Sequence, residues 1–330
     1  MRVILDVDPG VDDALAILLA LRSPELELVG LTTVAGNVVV DQGTQNALAI
    51  VERAGADVPV YPGADRPLAG RLTTATLFHG SDGLGDLGIA PRRATPSTTS
   101  AAAFLCEAVR DDQATTVVAL GPLTNLALAC RMDADWPRRV HQVVAMCGAV
   151  TVPGNVTAVA EANCYADPEA AAIVLGSGAP VLMVPLDVTM RGALSRERFE
   201  QARPAVRQKD GAFGLACSLL KFYLGMASRL GSTTAALHDP LAVAIACAPD
   251  LVGSRRLRVD VELEGSISRG QTIAWIDRRR ERLEDRGDHD DVVGIETVEG
   301  NVDVALEVDA ERFLRLFLER VLGLERHRSS

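Results

Sequence analysis

Short, continuous apolar runs recur along the first half of the chain, each followed by a stretch whose apolar residues repeat every three or four positions. Val3, Ile4 and Leu5 form the first run, and residues 28–34, 58–61, 115–120, 143–146 and 181–186 repeat it. Runs this short and this apolar are those of parallel strands buried on both faces. Between them a helical period predicts helices over 14–21, 41–54, 101–110, 126–131 and 168–175. Leu15, Leu18 and Leu19 share one face of the first, Gly55 stops the second, and Asp167-Pro168 supplies an N-cap followed by proline at the first helical position. Strands alternating with helices build an α/β fold: an open, doubly wound, mostly parallel sheet flanked by helices.

The second half is more helical. Residues 213–230 predict a long helix ending at Gly231, and 241–248 an apolar one with Asp239 at its N-cap and Pro240 at N1. Residues 256–263 alternate, with Leu257, Val259, Val261 and Leu263 on one side, which predicts a half-buried strand. Further strands are expected at 271–276 and 301–308, and a last helix at 310–322 burying Phe313, Leu316 and Phe317. Residues 278–291 are highly charged and predict a solvated loop. No repeat or low-complexity linker divides the chain, so residues 1–330 are expected to form one domain, with 324–330 as a flexible tail. Residues 62–100, rich in Gly, Pro, Ser and Thr, form one long connection containing Phe78-His79-Gly80-Ser81-Asp82-Gly83-Leu84-Gly85. Either a mobile lid carrying His79 or an ordinary surface loop fits that composition.

With 330 residues, 48% of them hydrophobic, the chain has ample material for a large core. A net charge of −11 without a Lys/Arg run argues against nucleic-acid or anionic-membrane partners. No uncharged apolar run is long enough for a membrane span, and the N-terminus enters a strand at once, so neither membrane helix nor signal peptide is expected. Cys106, Cys130, Cys147, Cys164, Cys217 and Cys247 are scattered without a CxxC, as expected for reduced core thiols of a cytoplasmic protein.

The chemistry concentrates in the first turn. Asp6-Val7-Asp8-Pro9-Gly10-Val11-Asp12-Asp13 places four carboxylates in eight residues, between a strand and a helix, where open α/β sheets bind ligands. Asp6 and Asp8, two apart on extended chain, project to the same side. Asp12 and Asp13 gain only about 0.3–1 kcal/mol each from the helix dipole. That cannot offset the repulsion of converging carboxylates; a hard divalent cation, Ca²⁺ or Mg²⁺ rather than zinc, can. N-cap and first-turn acids with one solvated Asp are the bland alternative.

In order, the octet, Gly121-Pro122-Leu123-Thr124-Asn125, Glu161-Ala162-Asn163 after Gly154-Asn155, and His238-Asp239-Pro240 resemble the inosine–uridine preferring nucleoside hydrolases, over nearly the whole chain. The resemblance implies a nucleoside-hydrolase-like α/β fold and Ca²⁺-dependent cleavage of ribonucleosides to ribose and free base. It makes Asp8 the general base and a Ca²⁺ ligand, with Asp13, Asp239 and the Leu120 carbonyl completing the ligands. Asp12 and Asn37 become ribose- and water-positioning residues, Asn163 the partner of the 3′-hydroxyl, Asn155 and Glu161 those of the 5′-hydroxyl, and Met146 a wall of the sugar pocket. His238 is the candidate acid for the leaving base and His79 the second candidate, an imidazole near neutrality suiting that task. A small-molecule ribonucleoside is the expected partner, in a homodimer or homotetramer.

Asp6 is expected to be an outer hydrogen-bond acceptor, Asn125 structural, Asp167 a cap and Tyr223 core packing in preference to stacking on a base, with no chemistry assigned to His141, His289 or His327. Ala162 and Cys147 depart from the family, which often has an aromatic and a glycine there. Base preference stays open, although His238 points to permissive or pyrimidine-preferring branches. A haloacid-dehalogenase-like phosphatase also begins with Asp-x-Asp, but wants Gly-Thr next and a downstream Lys; here Pro9-Gly10 follow, and only Lys209 and Lys221 occur. A non-catalytic nucleoside- or ribose-binding protein is the third reading.

Overall fold

The computed structural model describes residues 1–112, 114–203, 211–276 and 299–324. Strand and helix alternate first as β1 (Arg2–Val7), α1 (Val11–Leu21), β2 (Glu27–Thr33), α2 (Val40–Ala54), β3 (Val60–Pro62), α3 (Thr76–His79), α4 (Ala101–Asp111), β4 (Thr116–Ala119), α5 (Thr124–Met132), α6 (Trp136–Arg139) and β5 (Gln142–Met146). There follow α7 (Ala162–Ala166), α8 (Pro168–Leu175), β6 (Val181–Val184), α9 (Leu186–Thr189), β7 (Ala193–Ser195), α10 (Arg196–Ala202), α11 (Gly211–Arg229), β8 (Thr234–Ala236) and α12 (His238–Cys247). Strands β9 (Val252–Leu257), β10 (Val259–Val261), β11 (Thr272–Ala274) and β12 (Val302–Val308) precede the last helix, α13 (Ala310–Val321).

The central sheet has the order β3-β2-β1-β4-β5-β6-β12-β9. Its strands are parallel except β9, which runs antiparallel to β12. The winding reverses between β1 and β4: the chain moves outward to β2 and β3, then returns to β1's other side. Loops leaving the carboxyl ends of β1 and β4 therefore diverge, opening a crevice at that point. Side chains alternate across the sheet. Val3, Leu5 and Val7 join one core with α1, α2, α11, α12 and α13, while Ile4 joins the other with α4, α5 and α8.

Helix α1 is not amphipathic as expected. Every residue from Val11 to Ala20 is buried, because the helix lies among α2, α11, α12 and α13. Asp239 is not an N-cap either: α12 starts one residue before it, with Leu237 at the cap, so its buried carboxylate lies in the first turn. Residues 256–263 form two strands, since β9 pairs with β12 and β10 with β11. The strand expected to reach 186 ends at Val184, where Pro185 caps α9. In α13, Leu314 and Leu318 accompany Phe313 and Phe317 in the core, and Leu316 is only partly buried. The charged stretch 278–291 and the tail, apart from Leu324, lie outside the described residues.

Among the described residues α11 alone is long and apolar enough to cross a membrane. Here it packs on α1 and α2 through Ala212, Leu215, Ala216, Leu219, Leu220 and Leu224.

Phe313 and Phe317, fully buried with ring centroids 6.2 Å apart, join α13 to the core. Phe317→Ala is expected to destabilise the chain by about 3–5 kcal/mol in urea unfolding; a shift below about 1 kcal/mol would show that the site collapses around the vacancy.

Candidate active site

The turn after β1 is held open by glycines. A Cβ on Gly36 would overlap Asp8, and one on Gly121 would lie 2.8 Å from Asp8 Oδ1. Both neighbouring loops thereby close on the Asp8 carboxylate. Its Oδ2 accepts from the Asn37 main-chain N–H at 2.7 Å, and its buried Oδ1 has no partner. Asp13, at N3 of α1, accepts from the N–H groups of Asp8 (3.1 Å) and Gly10 (2.9 Å) and from Asn37 Nδ2 (3.2 Å). Capping and clustering thus fall on one side chain.

Oxygens of Asp12, Asp13 and Asp239 lie within 4.8 Å of one another, all three residues buried. Asp12 Oδ1 is a further buried acceptor without a partner. Burial first, then the charges of neighbouring acids, pushes Asp8 and Asp239 well above the carboxylate range. Burial also lifts Asp12 and Asp13 to about 6 each. Unpaired carboxyl oxygens of Asp8 and Asp12 beside Asp13 and Asp239 are what a hard cation would satisfy, drawing off the protons that burial favours. Asp6 stands apart. Its Oδ1 accepts from Thr32 Oγ1 (2.6 Å) and Asn125 Nδ2 (2.7 Å), and burial outweighs those bonds to raise it to about 7. Asn125 also donates to the Thr33 carbonyl and accepts from Ala64 N–H, tying α5 to β2 and the loop after β3. Asp167 caps α8 as expected and in addition accepts from Thr124 and from Leu68 N–H.

Across the crevice, the Leu120 carbonyl at the end of β4 accepts from Asn163 Nδ2 at 2.7 Å. The same amide donates to the Met146 carbonyl at 2.9 Å. Glu161 is the N-cap of α7; its carboxylate accepts from the N–H groups of Gly148 (2.8 Å), Asn163 (2.9 Å) and Cys164 (3.1 Å), and burial raises its pKa. Exposed Asn155 accepts from Ala162 N–H at 3.0 Å, leaving its amide donors uncommitted. These residues, with Asp12, Asn37, His79, His238 and Asp239, surround a cavity of about 280 Å³. A second cavity of about 400 Å³ adjoins it past Ala75, Phe78 and Ala162, and reaches Asp8. The first cavity thus holds every residue the resemblance assigned except Asp13, which lies buried beneath it, and Asp8, which faces the second.

The imidazoles differ from expectation. Burial takes both His79 and His238 down to about 4, so at neutral pH neither is a charged acid. Val11 N–H donates to His79 Nδ1 at 3.1 Å, which puts the ring hydrogen on Nε2. His238 Nδ1 lies 2.8 Å from Thr189 Oγ1. The loop of His79 is tied to the body of the fold, the ring by Val11 N–H and the Asp82 carbonyl by Asn46 Nδ2, while Asp82 accepts within the loop from the N–H groups of Leu84, Asp86 and Gly88. His141 is exposed, and His289 and His327 lie outside the described residues.

One residue expected in the core belongs to the site. Tyr223 lines the cavity with its ring centroid 6.5 Å from that of His79. Burial, and then Asp12, Asp239 and Asp13, hold its hydroxyl protonated. It lies on the same helical face as the buried Leu219 and Leu220, so spacing alone cannot separate a cavity wall from core.

The family model for inosine-uridine preferring nucleoside hydrolase matches residues 3–315. "Uridine nucleosidase 1" of Arabidopsis thaliana is 41% identical, covering 82% of this chain and 81% of its own. A solved purine-preferring ribonucleoside hydrolase from Gardnerella vaginalis superposes with a TM-score of 0.86 at 36% identity, covering 98% of this chain and 99% of its own. A solved plant nucleoside hydrolase, PpNRh1, gives 0.87 at 35% identity with the same coverage.

The carboxylate shifts set a pH dependence. Asp6, Asp12 and Asp13, raised from 3.8 to about 7, 6 and 6, bind protons more tightly folded than unfolded. Their contribution is complete below the unfolded value and is lost as pH rises through about 6–7. Added Ca²⁺ should therefore raise the thermal midpoint of chelator-treated protein much more at pH 7.5 than at pH 5. Equal increments at both, or none, would contradict a cation-binding cluster.

Proposed function

The chain belongs to the inosine-uridine preferring nucleoside hydrolase family, and on that premise we propose how this site cleaves a ribonucleoside, with Ca²⁺ as its metal. One observation carries the reading: Asp12 and Asp13 of the first turn meet Asp239 of α12, near the other end of the chain, in one buried cluster, with an oxygen of Asp12 and one of nearby Asp8 unpaired. Asp8, Asp13, Asp239 and the Leu120 carbonyl would hold the ion, with Asp12 beside them. When bound, Ca²⁺ supplies countercharge, a grip on the ribose diol and acidification of the attacking water.

The chain's own groups do the rest. Asp8 Oδ2 is held by Asn37, so Oδ1 is free to take a proton from the attacking water. The water oxygen bonds to C1′, the C1′–N bond breaks, and its electron pair leaves with the base. Positive charge grows on the ribosyl ring as this happens, and the surrounding carboxylates stabilise it. Asn163 spends its amide hydrogens on Leu120 and Met146, which turns Oδ1 to the 3′-hydroxyl. Asn155 and Glu161 take the 5′-hydroxyl, Met146 walls the sugar, and Asp12 and Asn37 position ribose and water. His238, its Nδ1 satisfied by Thr189, offers a neutral Nε2–H to the departing base; His79 and Tyr223 flank the same end. The phosphatase reading is not favoured, because the nucleoside hydrolase family model spans residues 3–315 and Lys221 is exposed on α11; Lys209 lies outside the described residues.

Asp8→Ala is expected to cut kcat on uridine by at least about 10³-fold with the fold intact; retention of most activity would remove Asp8 as base, and binding without turnover in the wild type would favour a binding protein. His238→Ala should lower kcat by about 10²-fold on uridine and inosine but little on p-nitrophenyl riboside, whose leaving group needs no donor. Equal loss on all three would contradict a role at the leaving base.

A further inference from the structure

One side chain outside the cavity joins the acidic turn to the loop that follows His79. Asn46, fully buried in α2, gives one amide hydrogen to the Pro9 carbonyl at 3.0 Å and the other to the Asp82 carbonyl at 2.8 Å. Its Oδ1 accepts from Gln42 Nε2 at 2.9 Å. Pro9 lies between Asp8 and Asp12, and Asp82 lies three residues after His79.

The surroundings are cut to this contact. Gly43, one turn earlier on α2, faces Pro9, where a Cβ would come within 3.2 Å of its ring. Gly83 has φ +79°, and a Cβ there would lie 2.9 Å from Asn46 Nδ2 and 3.0 Å from the Pro9 carbonyl, so the loop lies flat on the amide. Gly85 N–H then returns to the His79 carbonyl at 2.8 Å. At the other end the imidazole accepts from Val11 N–H and rests on Gly10, whose added Cβ would sit 2.6 Å from Nδ1.

We propose that Asn46 is a positioning residue: it locks the loop of His79 onto the Asp8–Asp13 turn and so fixes the imidazole against Val11 and Asp12 at the base end of the cavity. Only a planar amide meets the demand. Aspartate has no hydrogens to give, serine has one, and an apolar side chain leaves the buried Pro9 carbonyl and the half-buried Asp82 carbonyl without this donor. The proposal rests on the part given above to His79.

A double-mutant cycle tests it, using kcat and KM for uridine, with thermal unfolding as the fold check. Asn46→Ala should lower kcat/KM by up to about 100-fold, mainly in kcat, as expected for a misplaced group. His79→Ala should cost about as much, and the double variant should be no worse than His79→Ala within about threefold. If Asn46→Ala does not fold, Asn46→Ser, which keeps one bond, gives the same cycle with a smaller first step. Losses that multiply, or Asn46 variants within about twofold of wild type, overturn the proposal. Wild-type activity in His79→Ala overturns both it and the role of His79. A wild-type chain that leaves uridine intact contradicts the function itself; an active one with multiplying losses contradicts only the Asn46 clamp.

Discussion

Mutual repulsion of buried carboxylates is the constraint on which this molecule turns. Asp8, Asp12, Asp13 and Asp239 are all buried, and each is pushed toward its protonated form by burial, with neighbouring acids adding to the push on all but Asp12. Like charges in a low-dielectric site cost far more than surface ones. A fold that nevertheless gathers them, leaves two of their oxygens unpaired and spends backbone N–H groups on Asp13 is built around a positive charge it does not itself supply. Among the described residues no Lys or Arg lines the cavity of Asp12 and Asp239, whereas Arg71 and Arg269 line the adjoining one that reaches Asp8, so the first cavity is the one that can accommodate a cation and a developing ribosyl cation.

Topology makes the gathering possible. The sheet reverses its winding between β1 and β4, which separates the loops carrying Asp8 and Leu120 without any insertion. Glycines at 36 and 121 let two backbones approach the Asp8 carboxylate where a methyl group would collide, and Gly10 does the same beneath His79 and Asn37. Helix α12 points its first turn at the same place, so Asp239 arrives from the far end of the chain. Asn163 then bridges the ends of β4 and β5, which makes the sugar-facing wall continuous with the Leu120 carbonyl. The side chains that would touch ribose are therefore positioned by backbone groups of the sheet itself.

Much of this was legible in the residues. The strand–helix alternation follows from apolar runs, and the octet announces itself because capping and the helix dipole offset too little of the repulsion among four acids in one turn. Asp239 was legible as chemistry but not as geometry: Asp-Pro suggests an N-cap, whereas α12 begins one residue earlier and the carboxylate meets Asp12 and Asp13 instead. The amphipathic reading of α1 failed because four helices surround it, a tertiary fact that no periodicity carries. Short elements such as α7 and α9 are set by caps at Glu161 and Pro185 rather than by propensity. The acidity of His79 and His238 was not legible either, since it comes from burial that only the closed cavity imposes. Tyr223 was hidden for a related reason: a cavity and a core ask for the same helical face.

Calorimetric titration of the chelator-stripped chain with Ca²⁺ is the most direct test, comparing wild type with folded Asp239→Asn. The account predicts one ion per wild-type chain and loss of that binding in the variant, because the carboxylate from α12 closes the cluster begun by the first turn. Undiminished binding in Asp239→Asn, or no binding to the wild type, would show that the acids do not meet around a shared cation.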